Sequence, residues 1–266
     1  MLKHAVALTV AGSDSGGGAG IQADLKAFSA CGVYGASVIT AVTAQNLDGV
    51  RAIQAVRPPV VEAQLRAVLE GYPVRAVKTG MLFSRAIIAA VAAVLREHPR
   101  VPLVVDPVFA ATSGGRLIRP GAIAALVEDL FPLAALVTPN VPEAEFLCSG
   151  AIRSLEDLRE AGELLRRYYD VPFLMKGGHL PGGTGGAVDL LVLEKGGDVF
   201  EAGRVRGVNS HGSGCTFSAA IAAHLARGRD LRSAVAAAKA YIHGSLAHAH
   251  ALKPGTRVID HFFVAE

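Results

Sequence analysis

Cys215 lies in Asn209-Ser-His-Gly-Ser-Gly-Cys215, where two glycines one residue apart open a run of mostly small residues, Thr-Phe-Ser-Ala-Ala-Ile-Ala-Ala. A helix starting at such a turn leaves its first N–H groups unpaired, and its dipole adds positive potential there. The result is an anion hole for a phosphate, or for the charge that builds as a phosphate is transferred. A cysteine in the first turn is expected to have its thiol pKa lowered. A tight turn that packs a helix close to a sheet, with Cys215 as a small filler, accounts for the same residues.

Three further segments carry polar groups at the ends of apolar runs. In Thr138-Pro-Asn140-Val-Pro-Glu143, Asn140 with Glu143 three residues on reads as a capping box with Pro142 in the first turn. Glu143 also suits a magnesium ion held through water, with Asp106 of Val105-Asp-Pro-Val108 as the second carboxylate. Each acid alone reads as structural. Both follow strands, where open α/β sheets bind ligands. Lys176, in Met175-Lys-Gly-Gly-His179, leaves a buried run beside two glycines. It is either a point charge for a phosphate or a snorkelling surface lysine.

The fourth segment is Ala11-Gly-Ser-Asp-Ser-Gly-Gly-Gly-Ala-Gly20-Ile-Gln-Ala-Asp24, with Thr43-Ala-Gln45-Asn46 after the next apolar run. Its spacing fits neither GxxxxGK[ST] nor GxGxxG, so neither a Walker ATPase nor a dinucleotide-binding dehydrogenase is supported. A glycine loop with Asp24 and Gln45 nearby can instead receive a flat polar ring. The chain has three Asn and four Gln, and Gln22, Gln45, Asn46, Asn140 and Asn209 all fall in these segments.

Positioning these groups requires an alternation of buried strands and amphipathic helices. Strands are predicted at Val6–Val10, Ser37–Val42, Val74–Lys78, Leu103–Val105, Ala135–Thr138, Phe173–Met175 and Leu190–Leu193. Val61, Leu65, Val68 and Leu69 share one helix face, as do Leu155, Leu158 and Leu165 after a cap of Ser154 and Asp157. Two closing helices are expected near Gly214–Ala226 and Leu231–His248. The pattern predicts a mostly parallel sheet covered by helices on both sides, in a single domain over residues 1–266. The glycine-dense stretches Gly12–Gly20 and Gly177–Gly186 read as loops, the second a candidate lid.

Composition excludes several classes. Charged residues make up 18% of the chain, the net charge is +3, and basic residues alternate with acidic ones, so no nucleic-acid stripe is present. Cys31, Cys148 and Cys215 are far apart, with no CxxC pair for zinc. The histidines are spaced as surface or core residues. The longest apolar stretch, Ala86 to Leu95, is too short to span a bilayer, so a cytoplasmic location is expected.

The segments AGSDSGGGAGIQADLKAFSACGVYGASVITAVTAQN, AVKTGML, VVDPV, TPNVPEAE, MKGGH and NSHGSGC, in this order, resemble the hydroxymethylpyrimidine/phosphomethylpyrimidine kinases of bacterial thiamine synthesis. These are ribokinase-like enzymes, and the resemblance runs from about Val6 to Phe262. It implies a three-layer α/β/α sandwich with a mostly parallel central sheet, usually dimeric, that uses Mg-ATP on a small pyrimidine alcohol and then on its monophosphate. It places the pyrimidine against Gln45, with Gly12, Asp24 and Met81 lining the pocket, and the hydroxymethyl oxygen near Cys215. Amides from Gly212 through Ser213 and Gly214 to Cys215 would stabilise the phosphoryl group, with Lys176 and Asn209 toward ATP and Asp106 and Glu143 around the metal. Many ribokinase relatives carry Asp as general base where this subgroup carries Cys215. Family members often carry Lys at the position of Thr112, and Arg116 is the candidate substitute.

The nearest rival is a pyridoxal kinase of the same superfamily, because a substituted pyridine with a hydroxymethyl arm has a similar shape. Gln45 and Met81 favour the pyrimidine. A catalytically silent pyrimidine-binding protein is opposed by the intact Asp106, Glu143, Lys176 and Cys215.

Overall fold

A computed structural model describes residues 5–109, 118–119, 121–178, 180 and 186–263. Thr112, Arg116 and most of the Gly177–Gly186 stretch lie outside them. From the amino terminus come β1 (Val6–Asp14), α1 (Gly20–Ala30), β2 (Tyr34–Asn46), β3 (Gly49–Ala55), α2 (Pro58–Gly71) and β4 (Val74–Thr79). Next are α3 (Arg85–Arg96), β5 (Leu103–Val105), α4 (Ala122–Ala125), β6 (Leu136–Val137), α5 (Val141–Cys148), α6 (Leu155–Tyr169) and β7 (Phe173–Lys176). The chain closes with β8 (Gly186–Val192), β9 (Gly197–Gly203), α7 (Ser213–Ala226), α8 (Leu231–Ala247), β10 (His250–Lys253) and β11 (Thr256–Val258).

The first nine strands form one sheet in the order β3-β2-β1-β4-β5-β6-β7-β8-β9. Pairings from β2 to β7 are parallel, and those of β3, β8 and β9 are antiparallel. Successive strand residues face opposite layers, as the pleat requires. Leu8, Val77, Val105, Val137 and Phe173 pack into the layer with α2 to α6, whereas Ala7, Ala76, Val104, Leu136 and Leu174 face α1, α7 and α8. A parallel sheet buried on both faces reads in sequence as continuous apolar runs. Each of the seven strands expected from such runs is found, as β1, β2, β4, β5, β6, β7 and β8, most with adjusted ends.

Strands β3 and β9 escaped the sequence reading because their residues are largely exposed and form no buried run. β1 extends beyond Val10 into the glycine stretch, through Gly12 to Asp14, with an irregularity between Ala11 and Ser13. Both capping boxes are present, at Asn140 with Glu143 and at Ser154 with Asp157. The last helix stops at Ala247, so His250 opens a strand. No helix among the described residues is long and apolar enough to cross a membrane.

α7 lies flat on the sheet because Ala219, Ala220, Ala222 and Ala223 allow close approach, and all four are fully buried. His224 on this helix is also buried, its Nδ1 has no partner among the described residues, and burial pulls its pKa down to about 4. Burial does the same to His261, whose Nε2 lies 3.0 Å from Thr216 Oγ1. The unfolded chain takes up these protons near pH 6.5 and the folded chain only near pH 4. The two histidines therefore contribute a stability that is full above about pH 6.5 and lost through that window, on the order of 3 kcal/mol each, offset in part by Glu143, whose raised pKa acts in the opposite direction. Urea titrations from pH 7 to 4 should show the fall, and His224→Leu should flatten it. An unchanged slope in that variant would refute the assignment.

Candidate active site

The carboxyl ends of the parallel strands open into one cleft of about 860 Å³. β1 and β4 are neighbours, while the chain from β1 turns first to β2 on the other side, which makes the gap between β1 and β4 the topological switch point. Gly12 from β1 and Met81 just past β4 line the cleft there, and Gln45 enters from the end of β2. Met81 is buried, and its carbonyl accepts a hydrogen bond from Thr40 Oγ1 at 2.6 Å. Cys215, Lys176, Asp106 and Glu143 line the middle of the cleft. Arg204, His243 and Leu246 lie toward the other end, with the buried ion pair of Lys239 and Asp189, 2.6 Å apart.

Two glycine turns meet over the cleft floor. Gly212, the residue before α7, has φ 81°, and a Cβ there would collide with the Gly18 carbonyl. Gly20, at φ 57°, likewise approaches the carbonyl of Gly12 too closely for any side chain. Both positions therefore require glycine. At the start of α7 the Ser213 N–H bonds the Ser210 carbonyl at 3.0 Å, so it is spent within the turn. The N–H groups of Gly214 and Cys215 find no acceptor among the described residues and are the donors left for an anion.

Lys176 and Asp106 form an ion pair at 2.8 Å, and Thr138 Oγ1 donates to the same Asp106 oxygen at 3.2 Å. Burial opposes both charges. The Asp106 and Glu143 carboxylates nevertheless raise the pKa of Lys176, while Lys176 and Lys78 lower that of Asp106. Glu143 serves its capping box and also borders the cleft. Burial first, then repulsion from Asp106, pushes it up to about 7 despite Lys176. Two acids crowded round one lysine suit an added cation, because a divalent ion relieves that repulsion. The donor set thus fits magnesium bound through oxygen and water.

Two sequence expectations need correction. Asp24 does not line the cleft. It sits on the buried face of α1, where Lys78 Nζ reaches its two oxygens at 2.8 and 3.0 Å and Thr9 Oγ1 donates at 2.6 Å. Asn209 lies between Val208 and Ser210, which line the cleft, and its side-chain oxygen accepts the His211 N–H at 2.9 Å. The thiol of Cys215 is pushed up to about 11 and not lowered. Desolvation is the main cause, Lys78 opposes it, and Asp106 and Asp24 add to it. The helix terminus does not offset this desolvation with two carboxylates nearby.

Alkylation of Cys215 by iodoacetamide, followed by peptide mass, should therefore be slow near neutral pH. It should climb about tenfold per pH unit toward pH 11. A rate already level by about pH 8 would indicate a depressed thiol.

The clustered amides have a mostly structural cause. Gln22 Oε1 accepts the Asp14 N–H, Asn46 takes that of Asp48, and Asn140 caps α5. Of these amides, Gln45 and Asn140 line the cleft. Polar cleft residues not singled out from sequence include Lys78, Asp14 and His211. Lys78 had a usable signal, a lysine near the end of a buried strand and two residues before Gly80, close to the pattern that marked Lys176. Asp14 gathers the N–H groups of Gly16, Gly18 and Ala19 at 2.8 to 3.1 Å and so folds the glycine loop round itself.

An anion hole and a lysine at strand ends of such a sheet define a ribokinase-like small-molecule phosphotransferase. Within that class, the chain belongs to the phosphomethylpyrimidine kinase family, whose model matches residues 14–260. A hydroxymethylpyrimidine/phosphomethylpyrimidine kinase of Rhizobium meliloti is 52% identical, over 94% of each chain. The thiamine biosynthesis bifunctional protein of Geobacter sulfurreducens is 51% identical over 97% of this chain, which spans 52% of that protein. Among solved structures, an ADP complex of Bacillus subtilis pyridoxal kinase superposes with a TM-score of 0.87 at 34% identity, over 97% of each chain.

Proposed function

We propose that the chain transfers the γ-phosphoryl group of ATP to 4-amino-5-hydroxymethyl-2-methylpyrimidine, and then to the resulting monophosphate, in thiamine biosynthesis. The observation that carries this reading is a single cleft running from Gln45 and Met81, past Cys215 and Lys176, to Arg204 and His243. A flat ring at the first end puts a hydroxymethyl oxygen beside Cys215, and the nucleotide occupies the other. Residues 1–266 act as one ribokinase-like domain on this reading, supported by the continuous sheet. A cytoplasmic homodimer is part of the proposal, supported by the resemblance and by the exposed Tyr34 and Tyr72 rings stacked 5.9 Å apart.

Transfer passes through a loose transition state, so positioning and charge stabilisation dominate. The free amides of Gly214 and Cys215 hold the equatorial oxygens of the moving group, and Lys176 neutralises the growing charge on the leaving phosphate. Asp106 and Glu143 would hold magnesium, which when bound supplies further charge neutralisation across the phosphates. Cys215 takes the alcohol proton late. Its raised pKa makes the thiolate rare but strongly basic, and Lys78 lies close enough to stabilise it. Cys215→Ser is expected to lower kcat by about a hundredfold. Near-full turnover in that variant would remove the base role.

A coupled ATP-turnover assay with hydroxymethylpyrimidine, its monophosphate and pyridoxal offered separately tests the whole reading. Turnover on both pyrimidines with pyridoxal slow is expected. Turnover on pyridoxal alone would keep the mechanism and overturn the substrate.

A further inference from the structure

His211 lines the cleft beside Gln45 and has no part in the chemistry above. We propose that His211 is a positioning residue which, held by Asp14, fixes the amide of Gln45 and so decides which hydrogen-bonding edge the pocket reads. The inference rests on the reading that a heterocycle lies against Gln45.

The polar atoms around the ring admit one consistent arrangement. His211 Nε2 is 3.1 Å from Asp14 Oδ2 and 3.1 Å from Gln45 Nε2. A single ring nitrogen either donates or accepts. As an acceptor for Gln45 it would turn its lone pair toward a carboxylate that has only lone pairs to offer. As a donor to Asp14 it would meet the Gln45 amide donor head on. Half a turn of the amide removes the conflict, because Oε1 then shares the His211 N–H with Asp14. Gln45 Nε2 moves to the place now 3.2 Å from Thr43 Oγ1 and donates to it. Thr43 keeps its own proton for the Ser13 carbonyl, 3.0 Å away.

The neighbours leave the imidazole little freedom. The Gly18 backbone packs so closely on the ring that a Cβ there would lie 2.9 Å from His211 Cδ2. Asp14 is itself fixed by three backbone N–H groups. With its amide so held, Gln45 retains one N–H and one Oε1 lone pair for a ligand. A ring nitrogen flanked by an amino group supplies the matching acceptor and donor. The oxo counterpart, a ring N–H flanked by a carbonyl, matches only the reversed amide. His211 thus biases the pocket toward the amino compound.

The test compares wild type, His211→Gln and His211→Phe on the 4-amino pyrimidine alcohol and on its 4-oxo analogue. Wild type and His211→Gln, which keeps a donor, should prefer the amino compound. His211→Phe should raise KM for that compound about tenfold, more than it lowers kcat, and should shrink the amino-to-oxo preference by a similar factor. An intact preference in His211→Phe, or a loss confined to kcat, overturns the proposal. A long-range 1H–15N spectrum of the free wild-type protein gives a readout that needs no substrate. A proton on His211 Nε2 supports the arrangement, and an unprotonated Nε2 overturns it. If wild type phosphorylates neither compound, the proposed substrate falls, while the spectrum still decides the hydrogen-bond arrangement.

Discussion

Lys176→Met should lower kcat for phosphoryl transfer by about a thousandfold while leaving the affinity for the pyrimidine alcohol close to wild type. The lysine sits at the end of β7 with its ammonium 2.8 Å from Asp106, in the middle of the cleft and away from Gln45. Its charge matters most when the bond to the leaving phosphate is breaking, and removing one such preorganised group costs roughly 10²- to 10³-fold. Losing the lysine also strips Asp106 of its nearest countercharge, which adds to the defect. Calorimetric titration of the alcohol, set beside steady-state kinetics, separates the two effects. Lys176→Arg should recover part of the rate, because charge returns with a different geometry. Turnover within tenfold of wild type in Lys176→Met would remove the lysine from the chemistry.

The largest loss of stability is expected at Asp24→Ala. Both Asp24 and Lys78 have side chains with no exposed surface, and their contact at 2.8 Å is the main compensation for burying two charges. Burial opposes the Lys78 charge, yet Asp24 holds its pKa above the ordinary lysine range. Removing one partner leaves the other charged, or forces it to discharge, at a cost of about 3–5 kcal/mol. That is a large share of the ~5–15 kcal/mol that holds a typical domain together. The double variant Asp24→Ala, Lys78→Met should regain much of the loss, because no buried charge remains. Urea denaturation of the two single variants and the double variant completes the cycle. A loss under about 1 kcal/mol in Asp24→Ala would mean that water reaches the pair.

Much of the architecture was legible in the sequence because parallel strands buried on both faces leave continuous apolar runs. Leu103–Val105 was read residue for residue, and the Ser154 and Asn140 caps were found because a capping box is a local contact, three residues wide. Gln45, Lys176 and Cys215 were placed from segments that end strands or open helices, Gly12 and Met81 from the family resemblance, and all five line one cleft. The edge strands β3 and β9 left no such trace, since exposed strands carry mixed residues.

What the sequence determined by itself, then, was the layered sheet and the residues at the strand ends, which depend on patterns a few residues long, and the family, which depends on the order of such motifs along the chain. The tertiary structure alone decided which of those groups face the cleft and in what state of charge. Asp24 turned inward because Lys78, 54 residues away, needed a buried partner. The Cys215 thiol rose in pKa because folding packed desolvating neighbours round it and brought Asp106 and Asp24 near, outweighing the helix terminus that its own neighbours predict. His211 meets Asp14 across 197 residues and Gln45 across 166. Burial and through-space charge are properties of the packed chain, so no local pattern records them.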